Sequence, residues 1–166
     1  MLLLRRIFLP GLFVLAVITD QITKILVDSY FNLYDLRPLV GDVLRLHYIR
    51  NSGAAFGLRI GDPAIMLIVN IVVISLLVYL YFSGKIDPGS MPGRSAIVLV
   101  LGGAVGNLID RLRLGEVIDF IDMGIGSYRW PTYNFADIYV TVGMFVLFFY
   151  IMFQSGNGEI ETGDAN

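Results

Sequence analysis

The chain has 166 residues, 56% of them hydrophobic and only 16% charged, with a mean hydropathy of +0.73 and a formal net charge of −2. Soluble domains carry about 25% charged residues, so this composition excludes an ordinary soluble domain, and the mildly acidic balance gives no reason to expect nucleic acid as a partner. Zero cysteines exclude disulfides, thiol catalysis and thiolate metal sites, and the single histidine, His47, argues against a histidine-built zinc site or a Ser-His-Asp triad.

Four apolar runs account for the excess. The first, Ile7 to Thr19, reaches the roughly 20 residues of a bilayer span if Asp20 and Lys24 sit at the membrane surface. Arg5 and Arg6 ahead of this run also fit the opening of a secretory signal, but no small-x-small cleavage site follows and the text continues D-Q-I-T-K-I-L-V, which predicts a retained helix. Asp20 and Lys24 lie four apart with the acid first, the favourable order for an intrahelical ion pair. A tether at the helix end is the plainer reading of that pair, and a lysine base acting on a serine is the sharper one.

In the loop that follows, V43-L-R-L-H-Y-I-R50 alternates Leu44, Leu46 and Tyr48 against Arg45 and His47, a half-buried strand pattern. N51-S-G-A-A-F-G57 then supplies turn residues and a short apolar stretch, expected as a short external helix or flap. The second and third spans, Ala64 to Phe82 and Ser95 to Ile109, are uncharged throughout. Gly102 and Gly106 of the third form a G-x-x-x-G pair that permits close helix approach. Asn107, Asp110 and Arg111 continue the same helix and project to one side, with Asp110 beside Arg111 read as a charge-compensated brace. Glu116 to Asp122 is strand-like and places Asp119 between Ile118 and Phe120, with no basic residue until Arg129. G124-I-G-S127 is a turn, and the aromatics of Y128-R-W-P-T-Y-N-F135 suit a membrane–water boundary. In N134-F-A-D137, Asn134 can cap the last helix and Asp137 falls near its third position, where an acid gains about 0.3–1 kcal/mol from the helix dipole. Capping and catalysis are both open for Asp137 at this point. The last span, Ile138 to Ser155, is again uncharged, and the acidic, Gly-rich tail is predicted to be disordered.

The predicted fold class is thus a mainly α membrane protein of four transmembrane helices (about 7–27, 63–83, 94–112 and 136–154) with a small external sheet. One domain covers 1–155, with loops 28–62 and 113–135 on one side of the membrane, and 156–166 form a flexible tail. The basic residues do not orient the bundle cleanly, since the two longer loops, taken as 27–62 and 111–136, hold seven arginines. Arg5 and Arg6 precede the first helix, which usually dominates, and this predicts cytoplasmic termini. If Asp119 and Asp137 meet, chemistry follows: two carboxylates close together in low dielectric share one proton. One is then a base and the other an acid at a single pH, as hydrolysis of a peptide by activated water requires. The helix terminus favours ionised Asp137, so Asp137 is expected to activate the water and Asp119 to protonate the amide carbonyl, with swapped roles remaining open.

D20-Q-I-T-K24, R50-N-S-G-A-A-F56, G102-G-A-V-G-N-L-I-D-R111, V117-I-D-F120 and N134-F-A-D137 stand in the order and spacing of bacterial lipoprotein signal peptidases, the type II enzymes, which the chain resembles from first helix to last. The resemblance implies an aspartic endopeptidase of the bacterial inner membrane, with both termini cytoplasmic and its site near the periplasmic face. It implies no metal or other cofactor and no obligate protein partner. The catalytic pair matches Asp119 and Asp137, and Asp20, Lys24, Asn51, Gly103, Asn107, Asp110, Arg111 and Asn134 match residues that support the site or contact substrate. The implied substrate is a diacylglyceryl-modified prolipoprotein held at the membrane lipid and cut N-terminal to its lipidated cysteine, under a β-cradle and a mobile flap. Gly102, Gly103 and Gly106 are read as leaving room between helices for a helical substrate. Three other readings are weighed: a serine–lysine hydrolase using Ser52 and Lys24, an ion- or proton-coupled transporter, and a scaffold whose charges are structural only.

Overall fold

The computed structural model describes residues 2–55, 58–59, 62–87 and 89–160. Its elements in chain order are α1 (Leu2–Tyr30), β1 (Leu36–Val40), β2 (Leu44–Asn51), β3 (Ala54–Ala55), β4 (Leu58–Arg59), α2 (Pro63–Phe82), α3 (Met91–Leu114), β5 (Val117–Ile125), β6 (Tyr128–Arg129) and α4 (Phe135–Ile160). Four helices contain stretches long and apolar enough to cross a membrane: Ile7–Tyr30, Pro63–Phe82, Met91–Leu114 and Phe135–Phe153. The chain is a multi-pass, mainly helical membrane protein.

Local chemistry sets the ends of these helices. Asp62 accepts from the Ala64 amide and Pro63 opens α2, a start in which the missing proline N–H costs nothing. Ser90 accepts from the Gly93 amide at the start of α3. Gly115 closes α3 in the left-handed conformation (φ 75°), donating its amide to the Arg111 carbonyl, and so lets the chain turn at once into β5. α4 runs to Ile160, beyond the predicted end near 154 and into the first residues expected as tail. Residues 161–166 of that tail lie outside the described residues.

α3 is the hub, packed against α1, α2 and α4. Its glycines explain how closely. A Cβ on Gly103 would collide with the Ala136 carbonyl oxygen of α4, one on Gly106 with the Asp20 carboxylate of α1, and one on Gly102 would lie 2.8 Å from the Ala16 Cβ. These small residues therefore do not leave room for a substrate, as the sequence reading proposed: the space above them is filled by α1 and α4. A hydrocarbon environment does not press apolar helices together, so close backbone contact has to supply the packing energy. α2 is the opposite case. Of its apolar side chains only Leu77 is fully buried; Leu80 and Tyr81 pack part-buried beside it, and most of the remaining helix surface is exposed.

Four strands form one antiparallel sheet in the order β1-β2-β5-β6 at the end of the bundle where α1 finishes and α4 begins. Val27, Tyr48, Ile118 and Phe120 seal it onto the helices. The segment expected as a short external helix or flap is a second, two-stranded pair, Ala54–Ala55 with Leu58–Arg59. Phe56, Gly57, Ile60 and Gly61 lie outside the described residues.

Candidate active site

β5 and the start of α4 meet because the chain between them folds back on itself. Gly126, at φ 55°, turns β5 into β6, and Tyr133 then bridges Ile121, its carbonyl accepting from the Phe120 and Ile121 amides. That bridge sets Asn134 beside the middle of β5. From there the Asn134 side chain donates to the Ile118 carbonyl at 3.2 Å and to Asp119 Oδ1 at 2.7 Å. Its backbone amide donates to Asp137 Oδ2 at 3.1 Å, while its Oδ1 accepts from the Asp137 amide at 3.1 Å. This is the reciprocal cap of a helix N-terminus, with Asp137 in the position usually held by glutamate. Asp137 is thus a capping residue, and it also faces a cavity. One asparagine holds both acids.

Each acid has a second amide donor. Asn51 Nδ2, at the end of β2, reaches Asp119 Oδ2 at 2.9 Å, and Asn107 Nδ2 reaches Asp137 Oδ1 at 3.0 Å. Asp119 is 2% exposed. Burial, followed by the charge of Asp137, pushes its pKa up from 3.8 to about 7, against the lowering effect of the Asn51 and Asn134 hydrogen bonds and of Lys24. Asp137 instead opens into a cavity of about 840 Å³ that continues past Ile138, Thr141 and Val142 and under the aromatics of the β5–β6 hairpin, Trp130 among them. One carboxyl is walled in and prone to hold a proton, and its neighbour faces the open space.

Behind the pair lies an ionic cluster. Lys24 Nζ, wholly buried, contacts Asp20 Oδ2 at 2.9 Å, Asp110 Oδ2 at 2.9 Å and Asn107 Oδ1 at 2.8 Å. These three acceptors commit the Lys24 amine to Asp20, Asp110 and Asn107 rather than to a serine. Asp20 Oδ1 accepts from the Ala136 amide at 2.9 Å and Asp110 Oδ2 from the Ile118 amide at 3.2 Å, so the cluster pins the start of α4 and the start of β5. The brace predicted between Asp110 and Arg111 is corrected here. Asp110 pairs with Lys24 of another helix, because adjacent residues on a helix point apart. Half-buried Arg111 donates to the Asn107 carbonyl at 3.4 Å and stands within electrostatic reach of Asp137, Asp119 and Asp110.

The structure therefore brings Asp20, Lys24, Asn51, Asn107, Asp110, Asp119, Asn134 and Asp137 into one connected network, with Arg111 at its edge and Gly103 packed against the Ala136 carbonyl beneath it. Sequence reasoning passed over Gln21, whose amide donates to Asp20, to the Gly106 carbonyl and to Asp110 at 3.2, 3.1 and 3.3 Å. Its position beside Asp20 at the end of an apolar run was the available signal. Also missed is Asp122, 3% exposed, which is gripped by Arg45 and Arg129 at 2.6 and 2.9 Å. Burial raises the Asp122 pKa, but the two guanidinium groups outweigh it and hold the carboxyl below its ordinary value. Among the described residues, no three His, Cys, Asp or Glu side chains are grouped to hold a metal ion.

The profile of the family described as signal peptidase (SPase) II matches residues 12–153. A lipoprotein signal peptidase of Syntrophotalea carbinolica is 40% identical over 137 residues, covering 80% of this chain and 83% of its own. One from Bacillus velezensis is 38% identical over 149 residues, covering 90% and 95%. Among solved structures, a bacterial membrane enzyme determined by the in meso method at 2.3 Å superposes with a TM-score of 0.82 at 32% identity, covering 90% of each chain. The matched segment begins within α1 and ends within α4, so it takes in every element that builds the acid network, and on that basis the chain belongs to the signal peptidase (SPase) II family of membrane peptidases.

Proposed function

We propose that this protein removes the signal peptide from diacylglyceryl-modified prolipoproteins, cutting N-terminal to the lipidated cysteine with a water molecule activated between Asp119 and Asp137. The observation that carries this reading is the asymmetry of two carboxyls suspended from one asparagine. Asp119, its pKa pushed up to about 7, exchanges a proton around neutral pH, whereas Asp137 borders the cavity where a peptide and a water have access. Asp137 takes a proton from the water as its oxygen adds to the scissile carbonyl carbon, and Asp119 gives its proton to the carbonyl oxygen. Collapse of the tetrahedral diol returns that proton to Asp119. The leaving amine takes the proton from Asp137, and both acids end as they began.

The substrate class fits the depth of the site. Two acyl chains and an apolar signal helix partition into lipid at roughly 0.8 kcal/mol per buried methylene, which confines the scissile bond to the interface. In this reading the sheet end of the bundle faces the periplasm, both termini face the cytoplasm, and the host membrane is the bacterial inner membrane. Residues 1–155 act as one catalytic domain without a cofactor or an obligate protein partner.

The test is a gel-shift cleavage assay on a lipidated prolipoprotein, comparing the parent with Asp119→Asn and Asp137→Asn. Cleavage by the parent and loss of at least about a hundredfold in each variant, with each variant still folding cooperatively by thermal denaturation, is the expected result. Cleavage retained in either variant would remove the two-acid mechanism.

A further inference from the structure

The proposed chemistry occupies one end of the bundle and leaves the other without a role. There the structure has a second cavity, of about 730 Å³, lined by Phe145, Phe149 and Phe153 of α4 and by Asp87 and Ser90 of the α2–α3 turn. Ile138 and Val142 line the Asp137 cavity, and Phe145, Phe149 and Phe153 line this one. Steps of three and four residues place all five on one stripe of a helix. The rings continue the stripe without a gap: Phe145 stacks on Phe149 at 6.5 Å between centroids, and Phe149 on Phe153 at 6.3 Å. At 1.5 Å per residue the distance from Asp137 to Phe153 is about 24 Å, most of the hydrocarbon thickness of a bilayer.

Charge marks the far end. Among the described residues lining this cavity, Asp87 is the one acidic or basic side chain. The nearby cations lie elsewhere, with Lys85 Nζ of the turn 5.8 Å above the Tyr79 ring and the Arg94 guanidinium of α3 4.1 Å from the Tyr81 ring, both rings on α2. The stripe therefore joins a carboxylate at one membrane face to the acid pair at the other.

We propose that this stripe of α4 seats the apolar helix of the substrate's signal peptide, and that Asp87 recognises the basic residues that precede that helix. The inference rests on the prolipoprotein reading and adds a specificity determinant to it. A signal peptide has a basic segment, then 7–15 apolar residues, then the cleavage site. An apolar helix of about 15 residues spans about 22 Å, so with its basic end at Asp87 it brings the scissile bond close to Asp137. Bulk lipid on the same stripe would match neither the length nor the single charge.

The test is a two-by-two kinetic comparison of full-length protein in proteoliposomes. The parent and Asp87→Lys are each given a lipidated substrate with lysines before its apolar helix and one with glutamates in their place. The parent should favour the lysine substrate through KM, Asp87→Lys should reverse that preference by about fivefold, as expected for one charge near a membrane surface, and kcat should stay the same in all four pairings. Equal KM values in all four pairings overturn the inference while leaving the peptidase reading intact. A parent that cleaves neither substrate overturns both. Photo-crosslinking gives an independent readout: benzoylphenylalanine at position 149 should capture the signal helix, whereas the same probe at 144, off the stripe, should capture lipid. Lipid adducts alone from both positions would also overturn it.

Discussion

Asp20 and Asp110 on one side of the site, and Asp119 and Asp137 on the other, are four acids drawn to the same end of the bundle and handled in two ways. The first two share a buried ammonium, Lys24, at 2.9 Å each, and accept backbone amides from α4 and β5. The second two accept hydrogen bonds from amides of Asn51, Asn107 and Asn134, with Lys24 and Arg111 acting on them at longer range. A carboxylate in direct contact with a cation and with backbone amides serves as a fastener between elements. A buried carboxyl beside another acid, hydrogen-bonded to amides and without a cation in contact, can exchange a proton near neutral pH. Asn107 and Asn134 join the two sets, since Asn134 Nδ2 also donates to Asn107 Oδ1 at 3.2 Å.

Substitutions can break this contrast at several strengths. The largest effect is expected for Asp119→Asn, with activity reduced on the order of a thousandfold, as for loss of a general acid. Stability should respond in the opposite sense. A folded pKa near 7 against an ordinary 3.8 means that Asp119 stabilises the fold most below about pH 4, and that this contribution is lost as pH rises through 7. Asp119→Asn should therefore unfold at a higher temperature than the parent at pH 8, with the gap closing as pH falls towards 4, as followed by calorimetry in detergent. Lys24→Met should act the other way, costing about 3–5 kcal/mol because it strands two buried carboxylates. A melting temperature unchanged from the parent would show that the cluster is not the fastener described here.

Smaller changes sharpen the same contrast. Gly106→Ala drives a methyl group into the Asp20 carboxylate and should cost about 1–3 kcal/mol, read from thermal denaturation, with activity falling in step. Asn51→Ala removes a hydrogen bond that favours ionised Asp119, so the fall in cleavage rate above pH 7 should move to higher pH. A shift to lower pH in that profile would contradict the assignment of Asp119 as the proton holder. Ser52→Ala should leave kcat and KM close to the parent values, because Lys24 is committed to Asp20, Asp110 and Asn107.

Local rules made some of this site legible in the sequence. The i, i+4 spacing of Asp20 and Lys24 shows their pairing, and N-F-A-D shows the reciprocal cap of Asn134 and Asp137, because each contact closes within one helical turn. Where local rules were pushed further they misled. Asp110 was assigned to its chain neighbour Arg111, but its cation lies 86 positions earlier on α1. The glycines of α3 looked like empty space for a substrate and are instead points of contact with α1 and α4. The mutual pairing of Asp122 with Arg45 and Arg129 left no trace in the sequence, since sheet register alone brings Arg45 opposite Asp122.

Composition by itself determined that this chain lives in a membrane and crosses it with four helices, because long uncharged runs have few other stable surroundings, and ordered motifs identified its family. Only the tertiary structure decided which acids receive a cation and which receive amides. That choice depends on the turn at Gly126 and the Ile121–Tyr133 bridge, which carry Asn134 back to β5, and on backbone approaches that only glycine permits at 103 and 106. Such contacts join residues far apart along the chain, and their energies depend on burial, which no local pattern of residues encodes.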